Sequence, residues 1–122
     1  MKSHKTVLII EDDLEIISVY YQILIDAGFN VLKALTASEG LKSIKSKRPD
    51  LILLDIMLPG GFNGLELLEI IKHDVKLKSI PVLMLTNLDR TRKLAQSLGC
   101  SEYLIKVNVG IDELVNKVKK YV

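Results

Sequence analysis

Five short apolar runs, at residues 7–10, 31–35, 51–54, 82–85 and 103–105, divide the 122-residue chain at nearly regular intervals. Each has the length of a strand. Apart from the second, which Lys33 interrupts, they lack the polar alternation of a strand with one wet face. Nearly continuous apolarity suits strands covered on both sides. Between the runs the spacing changes to that of helices. Ile16, Ile17, Tyr20, Ile23, Leu24 and Ala27 share one broad face, with Gly28 placed to follow the helix end. Thr36 to Glu39 has the capping-box pattern ahead of Leu41 and Ile44. Leu65, Leu68, Ile70 and Ile71 mark a third helix opened near Asn63 and Gly64, and a short polar fourth is expected from about Asp89 to Leu98. Ile111, Leu114, Val115, Val118 and Tyr121 follow the i, i+3, i+4, i+7 rule, and Lys117, Lys119 and Lys120 lie where a helix C-terminus favours cations. The order is strand–helix repeated five times, which predicts an α/β domain over residues 1–122. Its form is a doubly wound, five-stranded parallel sheet with right-handed crossovers and helices on both faces.

Composition narrows the class. Seventeen basic against fifteen acidic side chains, a formal +2, is too even for a surface built wholly for nucleic acid. A single cysteine, Cys100, excludes an internal disulfide framework and fits a reducing compartment. Residues 1–6 are polar and lead into only four apolar residues, short of a signal-peptide core. No run approaches the ~18 apolar residues of a membrane span. The expectation is a cytoplasmic domain without membrane contact.

In an open α/β sheet a ligand meets the carboxyl ends of the strands, near the point where strand order reverses. The residues just past each run are Glu11, Asp12 and Asp13 after the first, Asp55 after the third, Thr86 after the fourth and Lys106 after the fifth. Clustered carboxylates raise one another's pKa unless a cation lies among them, and one or two carboxylates with waters and phosphate oxygens describe a Mg²⁺ site. Asp13 is better explained as the N-cap of the following helix. For Glu11 and Asp12 capping and cation binding stand level. Asp55 interrupts an apolar stretch on both sides, where an unpaired carboxylate is costly. A carboxylate so placed is a candidate nucleophile toward phosphorus, with Thr86 and Lys106 as donors to the phosphoryl oxygens.

These residues carry a resemblance. The stretches at residues 7–13, 49–60, 81–86 and 99–106 are similar, in content, order and spacing, to the receiver domain of bacterial two-component response regulators. The resemblance implies a flavodoxin-like fold with strand order 2-1-3-4-5. It implies a signalling switch rather than an enzyme, with at most self-catalysed phosphorylation and dephosphorylation. Asp55 would take a phosphoryl group from a histidine kinase or a phosphotransfer protein. Mg²⁺ would be held by Asp12 and Asp55, by Glu11 through water, and by the backbone carbonyl of Met57. Thr86 and Lys106 would contact the phosphoryl group. Thr86 would then move and leave space into which Tyr103 turns as the switch. Output would pass through an unidentified protein target or a phosphorylation-dependent homodimer, with no direct nucleic-acid binding.

The chain departs from the family pattern at three places. Val107 follows Lys106 where the family usually has a proline in a cis peptide, so a trans bond and a reshaped loop are expected. The loop at residues 58–64 is one residue longer than the usual spacing from the phosphorylated Asp to the glycine opening the third helix. Asn87 follows Thr86 where a small residue is common, either restricting phosphoryl access or adding an amide donor. Other readings stand beside the switch: a docking module that is never phosphorylated, the receiver part of a longer transcriptional regulator, and a small Asp-nucleophile phosphatase. The last would want a second acid soon after Asp55, which Ile56 and Met57 do not supply. Arg90, Arg92 and Lys93 with Lys117, Lys119 and Lys120 form a basic set better suited to solvent or a protein partner than to nucleic acid.

Overall fold

In the computed structural model, which describes residues 4–122, every expected element is present. Met1, Lys2 and Ser3, where the polar opening begins, lie outside the described residues. The strands are β1 (Thr6–Ile10), β2 (Asn30–Ala34), β3 (Leu51–Leu54), β4 (Val82–Thr86) and β5 (Glu102–Ile105). The helices are α1 (Leu14–Asp26), α2 (Ala37–Lys47), α3 (Gly64–His73), α4 (Arg92–Ser97) and α5 (Ile111–Tyr121). All strand pairs are parallel, in the order β2-β1-β3-β4-β5.

Because successive residues of a strand point to opposite faces, the apolar runs feed two separate cores. Leu8, Ile10, Ile52, Leu54, Val82, Met84 and Tyr103 pack under α2, α3 and α4, against Ile44, Leu67, Leu68, Ile71 and Ala95. Val7, Ile9, Leu51, Leu53, Leu83, Leu85 and Leu104 pack under α1 and α5, against Ile17, Leu24, Leu114 and Val118. This two-sided burial is why the strand sequences show no polar alternation.

The helix details differ from expectation in four places. In α2, Thr36 Oγ1 accepts the Glu39 N–H at 3.0 Å, but Glu39 reaches back to the Leu35 N–H at 3.1 Å instead of closing the box. The complete capping box opens α3, where Asn63 and Glu66 exchange side chain-to-backbone bonds of 3.0 and 2.9 Å. The α4 helix is shorter than 89–98, because Asp89 to Arg92 forms a turn ahead of it. The Arg92 N–H and Nη2 both bond Asp89, and Thr91 makes no capping bond because its hydroxyl is committed to Tyr103. Finally, Ile70 and Ile111 are exposed (40% and 61%), while Leu67 is fully buried and burial along α5 begins at Leu114.

Candidate functional site

Sheet register assembles the site. Ile10 lies opposite Leu54, so the residues that follow, Glu11 and Asp55, emerge side by side at the switch between β1 and β3. The Asp55 N–H donates to the Ile10 carbonyl at 3.1 Å, carrying the pairing one step beyond the strands. Glu11 and Asp55 are buried, whereas Asp12 is exposed at the rim. Oxygens of Glu11, Asp12 and Asp55 all lie within 4.8 Å of one another. Asp13 does what its N-cap reading requires: its carboxylate accepts the Glu15 and Ile16 N–H groups at 3.0 and 3.1 Å. Its own N–H donates to Glu11 Oε2 at 3.0 Å, which orients the glutamate.

Lys106 compensates the buried charge. Its Nζ donates to Asp55 Oδ2 at 2.8 Å and also to Glu11 Oε1. Asp55 Oδ1 accepts the Ile56 N–H at 2.7 Å. Burial lifts the Glu11 carboxyl above its ordinary value, with Asp55 adding to the rise, against the pull of the Lys106 bond. Burial alone would lower the Lys106 pKa, but the bonds to Asp55 and Glu11 outweigh it and hold the ammonium above its ordinary value. The trans Lys106–Val107 bond expected from sequence is present, since the described residues contain no cis peptide, and it does not displace the lysine from the pocket.

Thr86, 1% exposed, ends β4 beside Lys106, whose N–H donates to the Thr86 carbonyl at 2.9 Å. The Thr86 hydroxyl oxygen accepts the Leu88 N–H at 3.3 Å, which leaves its proton as the part available to a ligand. Asp55, Met57, Thr86, Asn87, Leu88 and Lys106 line one cavity of about 220 Å³, so the sequence-predicted phosphoryl contacts share a single space. The loop at residues 58–64 does not loosen it. Gly60 and Gly61 take positive φ values of 91° and 71° in an exposed turn. At Gly64 the backbone of α3 lies so close that a Cβ would fall 2.0 Å from the Asp55 carbonyl oxygen. The helix therefore closes directly on the acidic residue.

Tyr103 is buried, at 5% exposure. Its hydroxyl donates to the Leu88 carbonyl and accepts from Thr91 Oγ1 at 2.6 Å. Arg92, which sequence grouped with a basic surface, instead lies 4.9 Å from the centre of that ring and donates to the Tyr103 carbonyl at 3.1 Å. Lys117 and Lys120 are likewise drawn in, toward Glu102 at 3.3 and 3.7 Å. Sequence reasoning missed the Arg92–Tyr103 contact and a bond from the Val107 N–H to Asn87 Oδ1 at 3.1 Å.

Comparison with known proteins gives a consistent picture. Residues 7–119 match the family described as the response regulator receiver domain. The chain is 34% identical over 119 residues to the phosphate regulon transcriptional regulatory protein PhoB of Klebsiella pneumoniae, covering 94% of this chain and 50% of that protein. It is 29% identical to the polar-differentiation response regulator DivK of Brucella anthropi, covering 96% of this chain and 95% of that one. A CheY-like response regulator receiver domain structure from Methanospirillum hungatei superposes with a TM-score of 0.87 at 34% identity, over 97% of this chain and 93% of the other. The chain thus spans about half the length of PhoB and nearly all of DivK. No helix among the described residues is long and apolar enough to cross a membrane.

Proposed function

We propose, from the premise that the chain belongs to the response regulator receiver domain family, that Asp55 is its phosphoacceptor and that loading it changes a protein-binding surface. The observation that carries this reading is a buried carboxylate at the sheet's switch point, bonded to a lysine and clustered with two further acids. An Asp55 oxygen attacks phosphorus, the bond from phosphorus to the donor's leaving group breaks, and the electron pair departs with that group. The donor is a histidine kinase or phosphotransfer protein, or acetyl phosphate in solution. The Lys106 ammonium lies 2.8 Å from Asp55 Oδ2, at the side of the carboxylate where the phosphoryl group would be joined. Lys106 then serves the phosphoryl oxygens as it now serves the carboxylates, and Thr86 donates its hydroxyl proton to them.

The donor set suits a hard divalent cation: three carboxylates with mutually close oxygens and no softer ligand among them. Asp12 and Asp55 would hold Mg²⁺ directly, with Glu11 through water and the Met57 carbonyl completing the protein's share. When bound, Mg²⁺ would supply positive charge against the negative charge of the phosphoryl oxygens. Output passes through a partner protein or a second copy, with the phosphoryl group adding about −1.5 to −2 charges to bias the surface.

The test is incubation with acetyl phosphate and Mg²⁺ followed by intact-mass measurement. The expected result is one alkali-labile phosphoryl adduct, not formed when the cation is chelated beforehand and absent from Asp55→Asn. A folded protein that stays unmodified, with acetyl phosphate and with an active kinase, would instead establish a docking module that is never phosphorylated.

A further inference from the structure

The two departures flanking the pocket, Asn87 after Thr86 and Val107 after Lys106, meet in space. The Val107 N–H donates to Asn87 Oδ1 at 3.1 Å, across 20 residues of sequence. A proline after the lysine would have no such N–H to give. An asparagine accepts a backbone N–H only through its amide oxygen, so this bond fixes which way the Asn87 amide faces and turns its NH₂ away from Val107. The surrounding turn is tied at each step. The Lys106 N–H goes to the Thr86 carbonyl at 2.9 Å, and the Asn108 and Val109 N–H groups both go to the Ile105 carbonyl at 3.0 Å. The peptide between Lys106 and Val107 is the link that only a side chain holds.

We propose that Asn87 is a positioning residue: its Oδ1 anchors the Val107 N–H, fixes the peptide after Lys106 and so keeps the lysine ammonium on Asp55 and Glu11. In this chain a side chain-to-backbone bond takes the place of the ring that restrains the same turn in the family pattern. Asn87 and Val107 are both exposed, so the bond does not rescue a buried donor. Its effect is geometric, on the direction in which the Lys106 stem leaves the backbone. Asn87 also lines the cavity with Asp55 and Lys106, which places the anchor within the region it organises.

The proposal rests on the phosphoacceptor reading of Asp55, and its test separates the two. Amide hydrogen exchange in the unphosphorylated protein, followed by NMR, reads the anchor directly. Asn87→Ala is expected to speed exchange at Val107 by about tenfold, the scale of one lost hydrogen bond, while Leu85 and Leu104 in the sheet stay protected. Asn87→Asp keeps the acceptor oxygen and should hold Val107 protection near that of the unmutated protein. Phosphorylation by acetyl phosphate should slow by about three- to tenfold in Asn87→Ala. The same substitution in a Val107→Pro background, where the donor is gone, should slow it no further. Unchanged Val107 exchange in Asn87→Ala overturns the anchor. Faster exchange with an unchanged phosphorylation rate, or full additivity with Val107→Pro, overturns its action through Lys106. If the unmutated protein takes no phosphoryl group, the reading of Asp55 fails, while the exchange result still decides whether the anchor exists.

Discussion

Lys106 sits between two carboxylates that folding has nearly removed from water, with side-chain exposures of 10% for the lysine, 4% for Glu11 and 8% for Asp55. Breaking such a cluster by removing one partner is more damaging than never having built it, because the remaining charges stay buried without compensation. Lys106→Met keeps the apolar stem and deletes only the charge. It is expected to lower stability at neutral pH by about 3 kcal/mol, measured by urea denaturation. Glu11 already lies above its ordinary value of 4.5 through burial and would rise further without the cation that now pulls it down. A folded value above the unfolded one gives stability that is complete below 4.5 and lost as pH rises through the folded value. The variant should therefore regain stability on mild acidification, and a loss independent of pH would show that packing, not charge, is at stake. Glu11, Asp12, Asp55, Thr86 and Lys106 were legible in the sequence because each lies within two residues of the end of an apolar run, and an open parallel sheet brings those ends together. The Asn87–Val107 and Arg92–Tyr103 pairs were not, because each joins two loops or elements through register and loop length, which no local pattern records.

Among the elements, β5 and α5 show how a strand at the sheet edge is secured. Glu102 faces Lys117 and Lys120 on α5, and the Tyr121 hydroxyl donates to Glu102 at 2.5 Å, with the Ser101 carbonyl 3.2 Å away. The Tyr121 bond, with the two lysines behind it, holds the Glu102 carboxyl below its ordinary value of 4.5 despite partial burial. A depressed folded value gives stability present above 4.5 and lost as pH falls through the folded value. Glu102→Gln should therefore flatten the acid limb of the stability profile below that pH while changing neutral stability modestly, since exposed ion pairs contribute little. An acid limb as steep in the variant as in the parent protein would place the acid sensitivity elsewhere. Element existence followed from periodicity; element ends did not. The α4 helix lost its first residues to the Asp89–Arg92 turn, and Ile70 faces solvent because adjacent apolar residues in α3 cannot all share one face.

At the scale of the whole molecule, the acidic cluster sets function against stability. Three carboxylates share one end of the sheet, and Lys106 reaches only two of them. Asp12 is the exposed member, so its charge adds repulsion without supporting a core. Asp12→Asn should leave the metal-free protein as stable as the parent or slightly more so. A cation bound only by the folded chain stabilises it by mass action, about 1.4 kcal/mol at tenfold the dissociation constant. For a domain of this size that corresponds to a rise of roughly 5 °C in Tm. Thermal denaturation across a Mg²⁺ titration should show this rise in the parent protein and little or none in Asp12→Asn. Equal responses in the two proteins would mean that Mg²⁺ stabilises the fold from some other place. A flat response in both would mean that Lys106 alone neutralises the pocket and that no cation enters before the phosphoryl group does.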